Sequence, residues 1–146
     1  RVKTEFSDEG MGTVGAVALD SSGNVAAGTS TGGMTGKPLG RIGDTPIIGA
    51  GTWADKSIAI SCTGVGEAYI RTCAAHRLAM TFQSDNDLAR SAELVLDEVA
   101  PLGGRGGLIA VSTNGDYVMP FQTRLMYRGS WNCGSIEIGI GPQNET

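Results

Sequence analysis

The order of elements in this chain of 146 residues predicts a layered α/β fold, in which two helices cover one face of a largely antiparallel sheet. Three observations carry the prediction. Strand-like runs come first, two helical patterns occupy the middle, and strand-like runs return. Two pairs of runs are joined by short segments of hairpin-turn composition, Asp20-Ser21-Ser22-Gly23-Asn24 and Asn114-Gly115-Asp116. The apolar runs also lack polar alternation, so the sheet is expected to be buried on both faces, the second against material outside this chain.

The elements follow in order. Residues 1–11 (RVKTEFSDEGM) are polar and charged, as in a linker or tail. Gly12 precedes Thr13, and Thr13 opens a run to Leu19 that turns at Asp20–Asn24 and returns as Val25–Thr31. Such a hairpin brings Thr31 back towards Thr13. A glycine-rich loop, 32–46, carries Lys37, Arg41 and Asp44. Ile47–Gly51 leads to Trp53, and Ser57–Cys62 reads as a strand. Helical spacing of Ile70, Cys73, Ala74, Leu78 and Thr81 predicts a helix over Glu67–Phe82. A second, Leu88–Ala100, has the stripe Leu88, Ala92, Val95, Leu96 and Val99, a cap at Asp85 or Asp87, and Pro101 beyond its end. Strands at Leu108–Ser112 and Tyr117–Phe121 form a second hairpin, and Ile136–Ile140 is the last short strand.

Length and composition bound the function. The length suits one domain, or one half of a larger globule, with a real core. Glycine, at 23 residues, is about twice its usual frequency. It is aperiodic and interleaved with apolar residues, which excludes collagen-like and disordered readings and points to tight turns and close backbone approach to a ligand. A net charge of −4 with no basic stripe argues against a nucleic-acid partner. No 18-residue apolar run and no signal peptide is present, so no membrane partner is expected. Cys62, Cys73 and Cys133 are odd in number and lack metal-ligand spacing, as for reduced thiols in the cytoplasm; no metal site is expected.

His76 is the only histidine and falls in mid-helix, where a partly exposed structural role outweighs a catalytic one. No nucleophile-elbow pattern accompanies it, so a hydroxyl nucleophile needs another base. An α-amine, with a pKa of about 8, can serve. Cutting Gly12–Thr13 would give Thr13 such an amine. Gly36-Lys37 is no phosphate loop, because Pro38 and Thr31 stand where Ser or Thr and the first glycine belong. Gly49-Ala50-Gly51 opens no helix. Arg41 and Asp44 read equally as a surface ion pair or as a clamp for a zwitterion, arginine on the carboxylate and aspartate on the ammonium. Thr63-Gly64 reads both as a helix cap and as an oxyanion hole of one hydroxyl and one backbone N–H.

Four segments in order, Gly12–Asp20, Thr29–Gly33, Gly40–Pro46 and Thr63–Glu67, closely resemble the plant-type L-asparaginase/isoaspartyl peptidase family of N-terminal nucleophile hydrolases. The resemblance implies an αββα sandwich, of which this chain is the C-terminal (β-subunit) half. Residues 1–12 would be the end of the α-subunit or linker, and 13–146 the catalytic β-subunit. It implies that Thr13 is the nucleophile, freed by autocleavage at Gly12–Thr13, with Thr31 supporting it. Arg41 would bind the substrate α-carboxylate, Asp44 with the Gly66 carbonyl the α-amino group, and Thr63 with the Gly64 N–H the oxyanion. Isoaspartyl dipeptides and asparagine would be hydrolysed through a β-aspartyl ester on Thr13, with no cofactor beyond a structural alkali cation in the α-subunit. The implied assembly is a dimer of αβ heterodimers.

Glycosylasparaginases share most of these motifs but typically carry Asn at the position of Gly32, and they are secreted or lysosomal proteins with disulfides. That activity is the near alternative; an unprocessed scaffold or a small amino-acid-binding module are the others. Gln122, Arg124 and Leu125 depart from the family pattern and are expected to alter the pocket rim or a subunit contact.

Overall fold

The computed structural model describes residues 12–142. The segment 1–11, read above as a linker or tail, lies outside the described residues. Strands β1 (Thr13–Leu19), β2 (Val25–Thr31), β3 (Thr52–Ala54) and β4 (Ile58–Gly64) precede helices α1 (Gly66–Thr72), α2 (Ala74–Asp85) and α3 (Leu88–Val99). A 3₁₀ turn, Ala100–Leu102, leads to β5 (Gly106–Ser112), β6 (Tyr117–Val118), β7 (Arg128–Asn132) and β8 (Ser135–Gly139).

The strands do not form one sheet. They fall into a β1–β2 hairpin, a central antiparallel sheet in the order β3-β4-β5-β6, and a β7–β8 hairpin. The Asp20 carboxylate closes the first hairpin by accepting from the Ser22 and Asn24 amides at 2.8 Å each. The hairpin lies against the face of β4 and β5 rather than beside an edge. Gly15 makes this approach possible, because a Cβ there would collide with the Ser61 hydroxyl. Across the layer Thr29 Oγ1 and Ser61 Oγ are 2.7 Å apart, and Thr52 donates to Thr29.

Period-two alternation divides β4 between two environments. Ile58, Ile60 and Cys62 join the core with Tyr69, Leu78, Val95 and Leu108, while Ser61 meets the hairpin. All of Ile58–Cys62 is buried, but the second face is covered by the chain's own β1–β2 hairpin and not, as expected, by material outside the chain. The helices cover the opposite face, α2 on β3 and β4 and α3 on β5 and β6.

The helical region departs from the expectation in one place. Glu67–Phe82 is two helices, parted at Cys73, which adopts a left-handed conformation (φ 48°, ψ 49°). Loop carbonyls explain the break: Gly49 and Ala50 accept from the His76 and Ala75 amides at 2.8 and 3.1 Å, so α2 starts where that loop can cap it. The buried face shifts accordingly. Ala68, Tyr69, Ala75, Ala79 and Phe82 join Ala74 and Leu78 inside, whereas Cys73 is exposed and Ile70 and Thr81 are half-buried. Helix α3 keeps its predicted stripe and its cap, Asp87, whose side chain accepts from the Arg90 amide at 3.0 Å.

The second predicted hairpin forms between β5 and β6, but its return strand is shorter than Tyr117–Phe121; Phe121 makes only an isolated bridge to Gly107. The last strand pairs with β7 across a tight turn at Cys133-Gly134. The three cysteines are free. Among the described residues, no helix is long and apolar enough to cross a membrane.

Candidate active site

The antiparallel register sets Thr13 opposite Thr31 at the open end of the β1–β2 hairpin. Their hydroxyls meet, Thr13 Oγ1 donating to Thr31 Oγ1 at 3.2 Å. Thr31 Oγ1 donates in turn to the Gly12 carbonyl oxygen at 3.0 Å and accepts from the Gly33 amide at 2.9 Å. The peptide bond before Thr13 thus has a hydroxyl on its carbonyl oxygen and a second hydroxyl beside it.

Thr63 lies two residues beyond Ser61 on β4, on the face that meets the hairpin. It lines, with Thr13, Gly15, Ser61, Tyr127 and Gly129, a cavity of about 160 Å³. It does not cap the following helix, as sequence spacing had implied. The N-cap of α1 is Val65, without a side-chain bond, because β4 continues through Thr63 to Gly64 in register with Gly107 and Gly106. Gly64 is packed too closely for a side chain; a Cβ there would stand 2.5 Å from both the Arg105 carbonyl oxygen and the Tyr69 ring.

Arg41, Asp44 and Gly66 form a second group at the start of α1. Arg41 pairs with Glu67 and not with Asp44, donating from Nε at 2.7 Å and Nη2 at 2.8 Å. That bond holds the guanidinium pKa above its usual value and the Glu67 carboxyl below the usual carboxylate range. Asp44 is buried and its Oδ2 has no partner among the described residues. Burial raises its carboxyl pKa, with its own and the Thr45 amides and the Arg41 charge opposing. Gly66 admits this carboxylate, since a Cβ there would sit 2.9 Å from Asp44 Oδ1. Among the described residues, no three His, Cys, Asp or Glu side chains converge to hold a metal ion.

The candidate residues therefore assemble in two groups: Thr13, which is hydrogen-bonded to Thr31 and shares the cavity with Thr63, and Arg41–Asp44–Gly66 beside α1. The two-residue step from Gly64 to Gly66 joins them. A comparison of the sequence with protein families gives a match over nearly its whole length: the profile described as asparaginase covers residues 1–140. The chain belongs to the asparaginase family. An isoaspartyl peptidase of Escherichia coli (strain K12) is 54% identical to it over 121 residues, covering 81% of this chain and 38% of the relative. A putative isoaspartyl peptidase/L-asparaginase of Dictyostelium discoideum is also 54% identical over 121 residues, covering 82% and 35%. An isoaspartyl peptidase/L-asparaginase of Homo sapiens is 41% identical over 138 residues, covering 93% and 45%. The chain spans less than half the length of each of these relatives.

Three residues in contact with the candidate groups escaped the residue-by-residue reading. Glu67 orients Arg41, and its only signal was an acidic residue in the first helical turn. Ser61 ties the two layers, unrecognisable before the hairpin's stacking is known. Lys37 donates from Nζ to the Gly32 carbonyl oxygen at 2.8 Å; it stood in the right loop without a visible partner. Gln122 reaches the Leu96 carbonyl oxygen at 3.1 Å, steadying the end of α3. His76 is half-buried and packs edge-on against Trp53, with 4.8 Å between ring centres.

Proposed function

We propose that this chain is the catalytic half of an autoprocessing threonine hydrolase of β-aspartyl amides, isoaspartyl dipeptides and L-asparagine. The observation that carries the proposal is the shared hydrogen-bond network of Thr13 Oγ1, Thr31 Oγ1 and the Gly12 carbonyl oxygen. It fits an N-to-O acyl shift. Thr13 Oγ1 bonds to the Gly12 carbonyl carbon and passes its proton to Thr31, while Thr31 gives its own to the Gly12 oxygen. The C–N bond then breaks as the proton on the Gly12 oxygen passes to the leaving nitrogen, and an ester joins Gly12 to Thr13 Oγ1. Water hydrolyses the ester, leaving a Gly12 carboxylate and a free Thr13 amine.

The new amine is the base for substrate turnover. It takes the Thr13 Oγ1 proton as that oxygen attacks the β-carbonyl, and hands it to the departing nitrogen. Thr63 and the Gly64 N–H stabilise the oxyanion, and water releases aspartate from the ester. Arg41, held in orientation by Glu67, binds the α-carboxylate. The partnerless Asp44 Oδ2 and the Gly66 carbonyl receive the ammonium, whose charge repays the burial of the carboxylate.

Residues 1–12 complete an α-subunit in this reading, and 13–146 form the β-subunit. The two halves build an αββα sandwich that pairs as a dimer of αβ heterodimers in the cytoplasm. Any alkali cation belongs to the α-half. The names of the relatives support this substrate class.

The test is made on the full-length protein. Incubation should yield a fragment whose mass begins at Thr13, and the cleaved protein should release aspartate from β-Asp-Leu. Thr13→Ala should leave one uncut chain with no turnover. Wild-type protein that stays folded, uncut and inactive would sink the proposal in favour of a scaffold.

A further inference from the structure

We propose that Lys37 is a positioning residue for the chemistry at Thr13, acting through the Gly32–Gly33 peptide; this rests on the function proposed above. One peptide group links the lysine to Thr31. Its carbonyl, on Gly32, accepts from Lys37 Nζ at 2.8 Å, and its N–H, on Gly33, donates to Thr31 Oγ1 at 2.9 Å. Thr31 Oγ1 then donates to the Gly12 oxygen at 3.0 Å. An ammonium is thereby connected to the scissile carbonyl through three consecutive hydrogen bonds.

The direction of every bond in this series is the useful one. A positive charge on the Gly32 oxygen polarises the peptide and sharpens the Gly33 N–H as a donor. A hydroxyl that accepts a stronger bond is itself a stronger donor, and here it donates to the oxygen on which negative charge develops. After cleavage the same series acts on the Thr31 hydroxyl beside the nucleophile.

The loop is built to let the lysine in. The Lys37 amide bonds the Met34 carbonyl at 3.2 Å, and Gly36 turns with φ 71°, folding the side chain back across Gly33. Gly33 leaves the room. A Cβ there would lie 2.6 Å from Nζ and 3.0 Å from Cδ of Lys37. An exposed lysine bonded to a carbonyl contributes little to folding, so this arrangement is better explained by what it does to Thr31 than by stability.

The experiment compares Lys37→Met and Lys37→Arg in the full-length protein, following cleavage at Gly12–Thr13 and then β-Asp-Leu hydrolysis. The lysine's bond is two hydrogen bonds removed from the scissile carbonyl, so Lys37→Met should slow cleavage about tenfold and lower kcat with KM little changed. Lys37→Arg, which can still reach the carbonyl with a cation, should restore most of both rates. Melting curves should coincide; if Lys37→Met melts low, Lys37→Gln takes its place and is read the same way. Wild-type rates in the uncharged variant, or equal slowing in both variants, would overturn the role of Lys37. A wild-type protein that neither cleaves nor hydrolyses would instead remove the function on which it rests.

Discussion

Thr31 Oγ1 receives two hydrogen bonds and gives one, all at the junction before Thr13. Replacing it with valine keeps the shape of the side chain and deletes the exchange. Thr31→Val should slow cleavage by about a hundredfold or more, the scale of one lost oxyanion donor, while melting stays within a few degrees because the pair lies at an exposed hairpin end. Time courses by mass spectrometry, paired with melting curves, read both. Asp44 gives a pH signature. Burial raises its carboxyl pKa above the ordinary carboxylate value, so the folded chain holds that proton more firmly than the unfolded one. The stability linked to this group is fully present below the unfolded value and is lost as pH rises through the raised folded value. Asp44→Asn, neutral throughout, should melt higher than wild type at neutral pH and show no gain in acid. A gain independent of pH would contradict this account.

The hairpins divide at the scale of elements by how their turns are written. Asp20–Asn24 and Asn114-Gly115 announced themselves by composition, and both turns are present. The β7–β8 hairpin did not, because Cys133 occupies the first central position of its two-residue loop, with φ 46°, followed by Gly134 with φ 87°. Asparagine tolerates that conformation better. Cys133→Asn should stabilise the protein by roughly 0.5–1 kcal/mol, measured by urea unfolding. The break at Cys73 was likewise illegible, since its cause is a pair of carbonyls from a distant loop. Apolar spacing was enough for α3, whose cap and stripe are local. Of the candidate site, Thr13, Thr31, Arg41, Asp44 and Thr63 could be singled out from short motifs. Lys37, Glu67 and Ser61 could not, because their partners are distant in the chain or are backbone atoms.

Large apolar side chains of two hairpins lie outside the core. Val14 on β1 is 74% exposed, and Trp131, Ile136 and Ile138 on the β7–β8 hairpin are 75%, 68% and 84% exposed. Apolar patches of this kind need a cover, and relatives more than twice as long have the chain to supply one. Residues 13–146 produced alone should bind a hydrophobic dye and aggregate. Co-production with the N-terminal half of the full-length protein should suppress both, read by dye fluorescence and size-exclusion chromatography. Unchanged dye binding with the other half present would mean that these faces serve something else.

The proposed cut falls at the outermost rung of a ladder, where Thr13 faces Thr31 and every later pair from Val14–Ser30 to Leu19–Val25 is untouched. Severing the backbone there leaves every other rung of the ladder paired. The protein before and after the event should be nearly the same object to any instrument that senses shape, and a preparation can be half inert while looking uniform. Only weighing the chains tells a finished molecule from one still waiting.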